Sequence, residues 1–101
     1  MNDIEFEWDK NKNAANKRKH KISFEEAKTV FYDDWGRIID DPDHSENEER
    51  FILLGLSVKA NLLMVCHCYC LSETVIRIIS ARKATTIEAQ QYQRFENEVI
   101  P

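Results

Sequence analysis

Apolar and acidic positions alternate from Ile4 to Trp8, with Ile4, Phe6 and Trp8 set against Glu5 and Glu7. That period of two is the mark of a short strand with one buried face. Asp9 follows as an N-cap for a polar helix over residues 10–20. Asn and Lys dominate this helix, so packing of Ala15 and its neighbours has to hold it in place. Ser23-Phe24-Glu25-Glu26 reads as a capping box, in which Ser23 bonds the amide of Glu26 and Glu26 reaches back. Phe24, Ala27, Val30 and Phe31 then line one stripe of a second helix that stops near Trp35-Gly36. Arg37 to Asp40 reads as a short strand, and Asp41 to Glu49 as an acidic loop around Pro42. Arg50 to Ser57 and Leu62 to Leu71 are strongly apolar and β-prone. Thr74 to Ala81 is a further strand, rich in β-branched residues. Thr85-Thr86-Ile87-Glu88 is a second capping box, opening a helix with Ile87, Gln91, Phe95 and Val99 on one face.

The predicted order is β-α-α-β-β-β-β-α, an α+β fold. Short connections between the last four strands favour a small antiparallel meander, with two N-terminal helices and one C-terminal helix. The strands are apolar on both faces, whereas an antiparallel sheet with one wet face alternates more cleanly. The second face is therefore expected to meet helices, a second copy or a partner.

At 101 residues the chain has room for one domain, 1–101, and its 43% hydrophobic and 32% charged residues are a globular balance. No apolar run approaches the roughly 18 residues of a membrane span. The start, Met-Asn-Asp-Ile-Glu, lacks the features of a secretory signal, so a cytoplasmic location is expected. Cys66, Cys68 and Cys70 alternate along one strand and so share a face. Neighbours two apart on a strand lie about 7 Å from each other, too far for a relaxed disulfide. Cys-x-Cys-x-Cys with His67 on the opposite face does not supply a zinc site either, and the three read as small apolar residues. No metal and no cofactor is called for.

The net charge of −4 argues against nucleic-acid binding on its face, yet the distribution is uneven. Lys10, Lys12, Lys17, Arg18, Lys19 and Lys21 crowd one segment; Asp40, Asp41, Asp43, Glu46, Glu48 and Glu49 crowd another. Closing the hairpins with Leu56 opposite Leu62 and Leu71 opposite Thr74 puts Arg50, Cys68 and Arg77 in one cross-strand row. Glu48, Cys70 and Val75 form the next; Ile52 with Cys66 and Ile79, then Leu54 with Met64, continue the other way. Two facing arginines need an anion between them, either a nearby glutamate or a phosphate, which suits the guanidinium fork. Arg82 and Lys83 precede a helix N-terminus, where cations are disfavoured unless solvated or holding an anion. Metal-free RNA cleavage needs a base for the ribose 2′-OH, cations for the phosphorane and an acid for the leaving oxygen. Glu48 or Glu49 are candidates for the base, Arg50 and Arg77 for the cations, and His20, His44 or Tyr92 for the acid. His67 reads as a satisfied core histidine.

Three blocks of sequence resemble one family. Phe6-Glu7-Trp8-Asp9 with Lys12, Asn16, Lys19-His20 and Ile22-Ser23-Phe24-Glu25-Glu26-Ala27 resembles the opening of the BrnT toxins. Asp43-His44-Ser45-Glu46 with Glu48-Glu49-Arg50-Phe51 resembles their middle. Ile76-Arg77-Ile78-Ile79-Ser80-Ala81-Arg82-Lys83-Ala84-Thr85 with Glu88 and Tyr92 resembles their close. The resemblance implies a ribonuclease toxin of a bacterial type II toxin–antitoxin pair with a RelE-like fold. It implies a BrnA-type antitoxin as partner, RNA as substrate, DNA contacted only through the antitoxin, and leaves room for a homodimer within the complex. Carried over by motif position, the polar site residues are Lys19, His20, Glu49, Arg50, Arg77, Arg82 and Lys83; Lys12, Lys19, Arg82 and Lys83 are the expected RNA contacts. One position departs: Cys70 stands where the family commonly has an arginine. The resemblance thus leaves a second reading, a catalytically weakened module that binds the antitoxin and co-represses the operon.

Overall fold

The computed structural model describes residues 4–40, 49–70 and 74–99, with backbone alone for residue 40 and for 93–99. The expected acidic loop, with His44 and Glu48, lies outside the described residues but for Glu49. The elements run β1 (Glu5–Glu7), α1 (Lys10–His20), α2 (Phe24–Ala27) passing into a 3-10 turn (Lys28–Tyr32), β2 (Arg37–Asp40), β3 (Phe51–Leu56), β4 (Leu62–Cys70), β5 (Val75–Lys83) and α3 (Thr86–Val99). The fold is α+β, with five strands in the order β1-β5-β4-β3-β2. Strands β2 to β5 form the expected antiparallel meander, and Leu56 pairs with Leu62 as the hairpin rule requires. The sheet is nevertheless mixed, because β1 joins its edge parallel to β5, with Glu7 beside Arg77.

Helix α1 starts where Asp9 accepts from the amides of Asn11 and Lys12, at 2.7 and 3.2 Å. It ends at Lys21, in the left-handed conformation at φ 64°. Ala15 is exposed, and Asn16 is the buried residue of the helix. Its side-chain amide donates to the carbonyls of Ile22 and Ala81, both at 2.8 Å, and its oxygen accepts from the Ala81 amide at 3.1 Å. A polar helix is thus held by polar side chains, Asn16 and also Asn13, which accepts from the Phe24 amide at 2.9 Å, where an apolar contact was expected.

Ser23 caps the amide of Glu26 at 3.0 Å, but Glu26 does not reach back. Its buried carboxylate instead accepts from the Ser57 hydroxyl at 2.6 Å and the Asn61 amide at 2.8 Å, fixing the β3–β4 turn. The second helix is α-helical for four residues only before tightening. Phe24, Ala27 and Val30 pack with Ile22, Leu53, Leu63, Val65, Ile76, Ile78 and Ala81 in the larger core. Gly55 is what lets this segment approach: a Cβ there would meet Val30 Cγ1 at 2.7 Å.

The opposite face carries a smaller core of Leu54, Met64 and Tyr92, flanked by Trp35, Ile39, Ile52, Leu62 and Ala84. Helix α3 reaches this face. It does so through Tyr92, whose hydroxyl donates to Asp33 at 2.8 Å, while Ile87, expected on the inner stripe, is 71% exposed. At the start of α3 the second capping box closes both ways: Thr85 N–H donates to Glu88 at 2.8 Å, and Glu88 N–H donates to the Thr85 hydroxyl at 3.2 Å.

Candidate functional site

One irregularity decides which cations share a surface. Cys68 pairs with Arg77 and Cys70 with Val75, as the hairpin reading requires. Between His67 and Cys66 the register then slips: His67 opposes Ile78, but Cys66 opposes Ser80. Ile79 is the extra residue of a β-bulge, so the expected Cys66–Ile79 row does not form. A bulge reverses the alternation beyond it. Ala81 therefore turns into the larger core, and Arg82, paired with Met64, faces the same side as Arg77. Without the bulge Lys83 would take that place; instead it pairs with core residue Leu63 and its side chain is exposed.

Two adjoining hollows run along β5 beside α1. One, about 410 Å³, is lined by Glu7, Trp8, Asp9, Lys12, Arg77, Ile78 and Ile79. The other, about 250 Å³, is lined by His20, Cys66 and Arg82 with Ile52, Met64, Ser80 and Ala81. The N-terminal end of α1 brings Lys12 to Arg77, and its C-terminal end brings His20 to Arg82. Lys19 and Lys83 are exposed and line neither hollow. Glu49, exposed, and Arg50, half-buried, directly precede β3. With Phe51 opposite His67, the register carries Arg50 towards Cys68 and so towards the row of Arg77.

Both groove arginines hold a carboxylate of their own chain. Arg77 donates through Nε to Glu7, with Nη2 also within ion-pair distance, in an exposed pair. This hydrogen bond, above all, keeps the guanidinium above its ordinary range. A glutamate thus does hold Arg77, and it is Glu7; Glu48 lies outside the described residues. Sequence reasoning missed Glu7, because strand alternation says nothing about which edge β1 joins; the signal that was there is the Phe-Glu-Trp-Asp block itself.

Arg82 grips Glu88 with both Nη atoms at 2.9 Å. That bond and the Thr85 amide hold the Glu88 carboxyl down at about 2, from an ordinary 4.5. A depressed carboxyl stabilises the fold above its unfolded-state value, and the contribution fades as pH falls from about 4.5 through about 2. Arg82 is partly exposed, so screening reduces the effect. Glu88→Gln is expected to cost about 1 kcal/mol at pH 7. In urea titrations repeated down to pH 2, its difference from the parent protein should shrink through that window.

The remaining titratable candidates have structural partners. His67 is fully buried on the helix-covered face, as expected, against Phe31, Tyr69 and Phe51 at ring-centroid distances of 4.8, 5.4 and 6.1 Å. Burial lowers its pKa and keeps it neutral. Nδ1 lies 3.1 Å from the Val65 carbonyl, which assigns the proton there, but Nε2 has no partner, so the ring is only half satisfied. Tyr92, bonded to Asp33 and 7% exposed, anchors α3. Cys66, Cys68 and Cys70 are unbridged.

A fold of this kind, a small mixed sheet with α1 along one edge and a cationic groove beside it, has a solved counterpart. The 1.1 Å crystal structure of the Brucella abortus ribonuclease toxin BrnT superposes with a TM-score of 0.62, covering 83% of this chain and all of that one at 16% identity. The class defined is that of small α+β proteins with a mixed five-stranded sheet. The model of the family described as "Ribonuclease toxin, BrnT, of type II toxin-antitoxin system" matches residues 8–88, and the chain belongs to that family. A comparison with curated protein sequences finds no match. Among the described residues no helix is long and apolar enough to cross a membrane.

Proposed function

We propose that this chain is a metal-independent endoribonuclease toxin of the cytoplasm, neutralised by a BrnA-type antitoxin that also carries the complex to DNA. The observation that supports it is the juxtaposition of Lys12, Arg77, His20 and Arg82 along one groove. In this reading Arg77 and Lys12 hold the scissile phosphate and stabilise the phosphorane, because a fixed guanidinium costs no reorganisation as charge develops. Glu7, already hydrogen-bonded to Arg77, takes the 2′-OH proton, and His20 is the acid for the leaving 5′-oxygen. Arg82, Lys19 and Lys83 contact the flanking backbone. Arg50, directly before β3, continues the register towards the same row; Glu48 and Glu49 are alternatives to Glu7 as base. The sheet and helix arrangement fits the RelE-like label, and a homodimer within the antitoxin complex fits the type II class.

Expression of the protein alone should arrest bacterial growth with loss of mRNA, and purified protein should cut RNA in the presence of a metal chelator. Co-expression of the antitoxin should relieve the arrest. Harmless expression with tight antitoxin binding would instead support a co-repressing module. The second reading has its own support: Arg77 and Arg82 are each held by an internal carboxylate.

Cys70 bears on the choice. It lies on the strand next to Arg77, two residues beyond Cys68 and on the same face. An arginine at this place would add a further cation beside the row of Arg50 and Arg77. Cys70→Arg is therefore expected to raise RNA cleavage roughly tenfold or more, towards the 10²–10³ that one preorganised donor supplies. Initial cleavage rates of the two proteins measure it, and equal rates would remove residue 70 from the site.

A further inference from the structure

Behind the groove β4 carries a row of thiols, the first of which, Cys66, lines the smaller hollow. Cys66, Cys68 and Cys70 project from β4 onto the face that also carries Arg77 and Arg82. Cys68 is buried, at 7% exposure, while the outer two are half-buried. Each outer thiol has a cation of the groove beside it. Cys66 lines the hollow of His20 and Arg82, and Cys70 lies two residues beyond Cys68, the partner of Arg77, on the same face. Exchange with a disulfide runs through the thiolate, the nucleophilic form.

Nothing within the strand can resolve such a thiolate. Residues two apart on a strand sit about 7 Å from one another, against the roughly 3.5–4.5 Å between Cβ atoms that a disulfide requires. The partner has to come from outside, and Lys12, Arg77, His20 and Arg82 along the groove can receive an anionic one, in exchange for the carboxylates of Glu7 and Glu88. We propose that Cys66 and Cys70 form a modification site for small anionic disulfides, and that the adduct closes the groove to RNA.

The thiolate attacks one sulfur of the small disulfide. The old S–S bond breaks, its electron pair leaves on the departing thiolate, and a new S–S bond joins the remaining half to the protein. The small disulfide is the oxidant, and excess thiol reverses the step. Closure of the groove rests on the proposed RNA site; the reactivity of the thiols does not.

The test compares 5,5′-dithiobis(2-nitrobenzoate), which is dianionic, with the uncharged 4,4′-dithiodipyridine, locating adducts by peptide mass mapping. In the native protein Cys66 and Cys70 should react and Cys68 only after denaturation. At low salt the anionic reagent should hold a rate advantage at Cys70. That advantage should fall about tenfold in Arg77→Gln, and in the unmutated protein at high salt. Labelling confined to Cys68, or an advantage indifferent to both Arg77→Gln and salt, would overturn the site. The adduct should also stop RNA cleavage, with dithiothreitol restoring it; full cleavage by the adduct would overturn closure. Unlabelled protein that never cuts RNA would sink the ribonuclease reading, while the labelling ratio would still decide the thiol site.

Discussion

Asn16→Ala is expected to lower stability by about 3 kcal/mol, more than any surface change on α1. Strand β1 stops pairing with β5 at Glu7–Arg77, so the outer edge of β5 beyond that point has no strand partner. Asn16 supplies the missing one. Its amide and carbonyl occupy both backbone groups of Ala81, in the way a neighbouring strand would, and it takes the Ile22 carbonyl as well. Truncation strands these three backbone groups in a site where Ala81 and Ile22 are each 1% exposed. Each unsatisfied buried group costs about 1–3 kcal/mol, and partial access of water to the edge places the sum near the low end. For a chain of this size the thermal midpoint should drop by roughly 12–20 °C. Asn16→Asp should be worse at neutral pH, since it keeps the acceptor for the Ala81 amide but aims a carboxylate at two carbonyls. Calorimetry of the three proteins decides this. A loss of under 1 kcal/mol in the alanine variant would mean that other contacts, not Asn16, dock α1.

What the sequence made legible follows from local rules, and what it hid follows from non-local ones. The β3–β4 and β4–β5 pairings could be read because short connections leave few registers, and Cys68 does oppose Arg77. The caps at Asp9, Ser23 and Thr85 could be read because capping is set by residues three or four apart. The bulge at Ile79 could not. Every residue from Val75 to Ser80 suits a regular strand, and the slip becomes favourable only once Ala81 has Asn16 to bond and the larger core to fill. That single slip exchanges Lys83 for Arg82 on the groove. Likewise Glu7 looked like the solvent side of a lone strand until its parallel pairing set it beside Arg77. The Glu26 carboxylate left its own cap for Ser57, 31 residues away. In each case a long-range polar contact overrode a sound local expectation, and two of these three contacts define the candidate site.

Arg77→Ala is expected to abolish measurable RNA cleavage, by a factor of about 10²–10³, while leaving the fold intact. The two halves of this expectation have separate grounds. The Arg77 side chain keeps 53% of its surface exposed, and its partner Glu7 keeps 41%. An ion pair this open is screened and contributes little to folding, so the thermal midpoint should hardly move. Activity has no such cushion. Among the described residues that line the larger hollow, Arg77 and Lys12 are the two cations, and the guanidinium alone offers forked donors to a non-bridging oxygen pair. Arg77→Lys keeps the charge but loses the fork, so it should recover only part of the rate. Glu7→Gln separates the roles within the pair. If Glu7 is the base, cleavage falls with Arg77 in place; if it only holds Arg77, cleavage persists and the base is sought at Glu48 or Glu49. Cleavage rates and thermal midpoints measured together on the four proteins read both halves. An Arg77→Ala protein that folds normally and cleaves at the unmutated rate would remove the groove along β5 from the chemistry altogether.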